Sequence, residues 1–251
     1  MKSFLLLPAL CGALIAQTSA TKAPAKSAPA KSGPAAPARS SRLMHPELAK
    51  LKAPDLYRVK VTTNKGDFVI EVHRDWAPNG ADRFYNLVRL GYFNGNAFYR
   101  MVPKVFVQFG IAPNPALTKI WSTAPVKDDP VKQKNTPGTV VFATGGPNSR
   151  TTQLFINLQD NSSQLDALGF APIGTVSDGF NLVQDLYGGY GEMKEMGGAG
   201  PSQEAYTKEG KAYLDKSFPL LDHIVSTTVI FPEPPPPAAK KSAPAAAAKK
   251  K

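Results

Sequence analysis

Arg100, Gln108 and Gln153 are the residues of this 251-residue chain whose types and neighbours could do chemistry together. The first two lie in the run FYRMVPKVFVQFG (residues 98–110), and the third lies in GPNSRTTQLFIN (residues 146–157). Val105, Phe106 and Phe155 stand beside them, so one permanent cation and two neutral carboxamides sit among large apolar groups. With no nucleophile and no metal-ligand cluster nearby, such a set can bind and polarise a peptide backbone but not cut one.

Other chemistries find little support. His45, His73 and His223 are isolated and lack metal-ligand spacing, so no metal is expected. Asp128 and Asp129 precede Pro130 and read as a turn. Gly145, Gly146 and Pro147 lack the Lys-Ser/Thr ending of a phosphate loop, and no cofactor is expected. Asn161, Ser162 and Ser163 form a glycosylation sequon, which matters only in a eukaryotic secretory pathway.

The elements that must position these residues are short. Tyr57, Val59 and Val61, then Phe68, Ile70 and Val72, alternate around the turn Asn64, Lys65, Gly66, which predicts a hairpin. Ala81, Phe84, Leu87 and Val88 recur at helical spacing and predict a helix over 78–90, ending at Gly91. Strands are predicted over 97–101, 105–109, 139–143, 153–157, 171–176 and 223–231, and a second helix over 179–187. Many short strands with few helices suggest a closed antiparallel barrel. Between residues 188 and 222, Ser202 to Phe218 predicts an additional helix with Tyr206, Tyr213, Leu214 and Phe218 toward the core.

Composition divides the chain. Residues 1–42 carry six Lys or Arg and no acid, and residues 238–251 carry five Lys and no acid, so the formal net charge of +11 belongs to the ends. The neutral centre gives no case for specific nucleic-acid binding. Residues 1–20 have one Lys, an apolar stretch from Phe4 to Ala16 and small residues up to Ala20, the layout of a cleavable signal peptide. Cys11, the single cysteine, lies inside that stretch next to Leu10, which argues against lipid modification. Residues 21–50 and 233–251 are rich in Ala, Pro and Lys and predict disordered segments around a domain at 51–232. The basic tails are candidates for weak adhesion to anionic envelope polymers.

The two runs around Arg100 and Gln153, with a third at Leu165, Asp166, Gly169, Phe170, Ala171, Pro172 and Gly174, resemble the cyclophilin-type peptidyl-prolyl cis/trans isomerases. The likeness extends from about Leu56 to Phe231 and is to the longer bacterial secreted branch. It implies a mainly β fold, a closed eight-stranded antiparallel barrel capped by two helices, with a C-terminal helical insertion. An X-Pro bond isomerises over a barrier of roughly 18–20 kcal/mol because the nitrogen lone pair is delocalised into the carbonyl. A permanently charged donor such as Arg100 can favour the twisted amide, whose nitrogen is more basic; about 3 kcal/mol of preference supplies roughly a hundredfold.

By the same resemblance, Arg100 and Gln108 are catalytic. Val105, Phe106, Ala143, Thr144, Gln153, Phe155, Leu165 and Phe170 bind substrate, the apolar ones as a proline pocket and Ala143 and Thr144 along the peptide. A structural ion pair is the other reading of Arg100. Val105, Gln164 and Phe170 depart from the phenylalanine, tryptophan and histidine common in the family, which puts cyclosporin affinity in doubt more than the reaction. The expectation is an exported, periplasmic or secreted monomeric isomerase that acts on proline-containing polypeptide clients and assists folding. A peptide-binding module or holdase with little turnover is the alternative.

Overall fold

Period-two burial builds the first hairpin: Tyr57, Val59 and Val61 on β1 (Leu56–Thr63) and Phe68, Ile70 and Val72 on β2 (Gly66–His73) are all buried. The two strands pair antiparallel from Leu56 opposite His73 to Thr63 opposite Gly66. The structure, a computed structural model, describes residues 42–232. The expected signal peptide and C-terminal tail, and most of the N-terminal linker, lie outside the described residues.

Six further strands complete one antiparallel sheet: β3 (Arg100–Val102), β4 (Phe106–Phe109), β5 (Thr139–Phe142), β6 (Leu154–Asn157), β7 (Pro172–Asp178) and β8 (Ile224–Phe231). Their order is β3-β4-β6-β5-β7-β2-β1-β8. Register shifts interrupt the β1–β8, β2–β7 and β5–β7 ladders, and such irregularities bend and twist strands, which lets the sheet curl. The edge strands β3 and β8 have no ladder between them. An isolated bridge between Ala97 and His223, with Phe98 N–H to Asp222 O at 2.9 Å and Ile224 N–H to Asn96 O at 2.8 Å, joins the two edges instead. The expected closed barrel is therefore a curled sheet with a stitched seam.

The enclosed core holds Phe68, Phe84, Phe93, Phe98, Phe109 and Phe142, all essentially inaccessible. Each such side chain contributes roughly 1.5–3 kcal/mol through burial, so the residues facing away from this core are free to serve a site. Helix α1 (Pro78–Leu90) covers it through Phe84, Leu87 and Val88 and ends at Gly91, as its spacing predicts. Ala77 before it offers no side-chain cap; Asp129 accepts from the N–H groups of Asn79 (3.0 Å) and Gly80 (2.9 Å) in its place.

Several expectations are corrected. A helix that the sequence reading missed, α2 (Pro115–Ser122), starts from an Asn114 cap whose Oδ1 accepts from Ala116 N–H. One helical turn, α3 (Ser162–Leu165), follows β6, and the predicted helix over 179–187 shrinks to α4 (Phe180–Gln184). Cover is thus spread over more than two helices. The insertion helix is two helices, α5 (Gln203–Glu209) and α6 (Lys211–Ser217), broken at Gly210. Gly210 has φ 65° and ψ −146°, and a Cβ there would stand 2.3 Å from Pro113 O. Tyr206 and Leu214 are buried in a second cluster with Tyr99 and Ile111, while Tyr213 and Phe218 pack on it, as predicted. The linker expected over 21–50 is shortened: Trp121 Nε1–H donates to Leu43 O (2.8 Å), and Pro46–Leu48 forms a 3-10 turn.

Candidate active site

Register places the site residues on one face. Arg100 on β3 is opposite Gln108 on β4, and Gln108 is opposite Phe155 on β6, so the three form a row across neighbouring strands. Phe106, two residues before Gln108, shares that face, whereas Met101 and Val107 between them point into the core. The Arg100 guanidinium lies over the Phe106 ring, with Cζ 4.6 Å from its centroid. Phe106, Phe155 and Phe170 continue as an aromatic chain with successive centroids 5.7 Å apart.

A line of carboxamides runs along the same face. Arg100 Nη1–H donates to Gln108 Oε1 (3.0 Å), and Gln108 Nε2–H donates to Gln153 Oε1 (3.0 Å). The Tyr99 hydroxyl donates to that same oxygen at 2.6 Å and lies 3.0 Å from Gln203 Oε1. Burial pushes the Tyr99 phenol far above its ordinary value, so it stays neutral and acts as a fixed donor.

The opposite wall is held by amides beneath it. Asn161 Nδ2–H donates to Val105 O (3.0 Å) and Asn157 Oδ1 (2.7 Å), and Asn135 Nδ2–H donates to Asp166 Oδ1 (2.7 Å) and Phe170 O (2.8 Å). These bonds pin the segment carrying Leu165 and Phe170 onto the sheet. Asn161 is buried with its amide occupied, which leaves the sequon asparagine no room for a glycan.

All ten residues singled out from the sequence (Arg100, Val105, Phe106, Gln108, Ala143, Thr144, Gln153, Phe155, Leu165 and Phe170) line one groove of about 430 Å³. Gln164, where the family commonly has tryptophan, also lines it. Three participants escaped the sequence reading. Met193 and Gln203 line the groove from the insertion, and Glu192 forms a bidentate pair with Arg100, Nε to Oε1 at 2.6 Å and Nη2 to Oε2 at 2.7 Å. Both readings of Arg100 thus meet in one side chain: it faces the groove, and it is ion-paired. Burial works against ionisation of Glu192, but the hydrogen bonds from Arg100 and from Met193 N–H and the Arg100 charge outweigh it, holding the carboxyl below its ordinary value. Nothing local to GYGEMKEM marks Glu192, because its partner is 92 residues away.

Residues 58–203 match the family described as cyclophilin type peptidyl-prolyl cis-trans isomerase/CLD. The chain belongs to this family. A peptidyl-prolyl cis-trans isomerase of Acinetobacter baylyi is 34% identical over 134 residues, 51% of this chain and 70% of that protein. Peptidyl-prolyl cis-trans isomerase B of Escherichia coli is 32% identical over 134 residues, 50% of this chain and 81% of that protein. A solved cyclophilin-type isomerase of Cryptosporidium parvum covers 69% of this chain and 97% of its own, at 19% identity and a TM-score of 0.48. This cyclophilin is an enzyme, a peptidyl-prolyl cis-trans isomerase. Its family match stops at Gln203, before most of α5, all of α6 and β8.

Proposed function

We propose that this isomerase acts on X-Pro bonds of exported proteins, with Arg100 as the group that favours the twisted amide. The observation that carries the reading is the position of Arg100: a groove-facing cation over Phe106, hydrogen-bonded to Gln108 in a row that ends at Phe155. Phe106, Phe155, Leu165 and Phe170, with Val105 at the rim, supply a surface for the prolyl ring. Gln108 and Gln153 hold substrate amides without adding a charge that opposes Arg100, and Ala143 and Thr144 flank the extended peptide. The catalytic step moves no proton and breaks no bond; rotation alone is assisted as the prolyl nitrogen becomes a better acceptor.

Arg100→Lys tests this role, since lysine keeps the charge but loses the planar fork. Turnover of a short X-Pro peptide should fall at least about tenfold, equivalent to roughly 1.4 kcal/mol of transition-state stabilisation. Equal turnover in the variant removes Arg100 from the mechanism. Export is supported by the Lys2, Phe4–Ala16 and Ala20 pattern at the N-terminus. Fractionation of producing cells, with the N-terminus read by mass spectrometry, should find a chain beginning after Ala20 outside the cytoplasm. A full-length cytoplasmic product contradicts it.

A further inference from the structure

Arg100 reaches the groove with much of its hydrogen-bonding capacity already directed. Glu192 takes the Nε–H and one Nη2–H, and Gln108 takes one Nη1–H. A guanidinium carries one N–H on Nε and two on each terminal nitrogen. Among the described residues, one donor on Nη1 and one on Nη2 are therefore left over. The carboxylate fork sets the rotation of the guanidinium within its plane, and stacking on Phe106 sets the tilt of that plane.

Glu192 is itself built into the fold. Its Oε1 also accepts from Met193 N–H (2.7 Å), and its backbone carbonyl accepts from Gly200 N–H (2.8 Å). That return of the chain depends on Gly198, where a Cβ would stand 2.0 Å from Glu192 O. The loop is closed further by Glu195, which accepts from Ser202 Oγ (2.6 Å) and Glu204 N–H (3.1 Å). The pair is also sheltered, with side-chain exposures of 16% for Arg100 and 29% for Glu192, unlike the exposed pairs that contribute next to nothing. Met193 and Gln203 line the groove, but Glu192 does not: it grips Arg100 from behind.

We propose that Glu192 is a positioning residue for the isomerase reaction, clamping the Arg100 guanidinium so that its two remaining N–H donors, one on each terminal nitrogen, serve the substrate. This rests on the reading of Arg100 given under Proposed function. It gives the insertion a part in turnover: the loop after α4 supplies the clamp. A carboxylate that inhibited Arg100 would have to cover the donors that face the groove, whereas Glu192 occupies the Nε edge. Misplacing a reacting group by about 1 Å can cost on the order of a hundredfold, so orientation outweighs the part of the cation's field that the carboxylate cancels.

The test uses the full chain with Glu192→Gln, Glu192→Ala and Glu192→Asp, alone and combined with Arg100→Ala. NMR exchange measurements on an X-Pro peptide separate kcat from KM, and the Arg100 15Nε–1H signal reports the clamp. Glu192→Gln should lower kcat about five- to fiftyfold with KM within about twofold, and should move the Arg100 signal, because the amide can no longer accept at both ends of the fork. Glu192→Asp, which keeps the carboxylate on a shorter arm, should recover part of the loss. In the Arg100→Ala background Glu192→Gln should change little more, since the two act as a unit. Unchanged or raised kcat in folded Glu192→Gln, while Arg100→Ala still lowers it, overturns the clamp alone. Full turnover in Arg100→Ala overturns the Arg100 reading and the clamp with it. If Glu192→Ala does not fold, the near-isosteric Gln variant decides.

Discussion

Arg150 and Arg100 are both ion-paired, Arg150 with Asp128 and Asp129 and Arg100 with Glu192, and the pairings have opposite uses. Arg150, in the loop before β6, has a side chain only 4% exposed; its Nη2 donates to Lys127 O and to Asp129 Oδ2 (3.1 Å), and Asp129 is 1% exposed. Asp129 in turn accepts from the first N–H groups of α1, so this pair ties the 126–150 region to a helix start. Arg100 shares its carboxylate with no helix and turns one side to the groove. Burial decides the difference. Arg150 is closed off from solvent and faces only the protein's own groups, while Arg100 stands at the wall of a groove, where a ligand can reach it.

The comparison breaks most visibly if the two arginines are removed in turn. Arg100→Ala should lower turnover roughly ten- to thousandfold while the melting temperature stays within a few degrees. Arg150→Ala should do the reverse: an uncompensated buried Asp129 costs about 3–5 kcal/mol, read as a fall of roughly 10 °C in Tm, and the protein that remains folded should keep its turnover. Matching losses of activity and stability in both variants erase the distinction. Asp129→Asn sharpens it, because the amide keeps the shape but loses the charge facing Arg150 and the α1 terminus. A loss of about 1–3 kcal/mol is expected, with turnover within about twofold.

Acid separates the pairs more gently. Glu192 in the folded protein titrates below its ordinary value of 4.5, so its contribution is fully present above that value and is lost only as pH falls through the lower folded one. Turnover should hold from pH 8 down to about 5 and decline in more acidic solution, while Glu192→Gln should show no such decline in that window. A wild-type loss between pH 7 and 5 contradicts this. The smallest effect concerns the ends: a chain of residues 43–237 should turn over a small neutral peptide within about twofold of the full chain, because screening confines exposed charges to their own surroundings. Retention on anionic vesicles at low salt should fall with the tails.

Much of the local structure was legible. The hairpin and α1 followed from periodicity because each buries one face, and alternation also explains why Arg100, Phe106, Gln108 and Phe155 share a side of the sheet. Asn114 before Pro115 is a start signal for α2 that went unread, and Gly210 within the predicted 202–218 helix is a stop signal of the same kind. Asp128 and Asp129, expected as a turn, lie in a stretch with no turn, and the burial of Asp129 against Arg150 has no local mark.

What the sequence by itself determined about this protein is the family, the eight strands and α1, which follow from side-chain type and short-range spacing, and, through the family resemblance, the ten residues that the structure gathers on one groove. What only the tertiary structure decided is how the cation in that groove is held. Glu192 meets Arg100 across 92 residues because glycines at 197 and 198 turn the insertion back on itself beside the edge strand β3. Contacts of that kind are set by the path of the chain through space, and a periodic pattern carries no information about them.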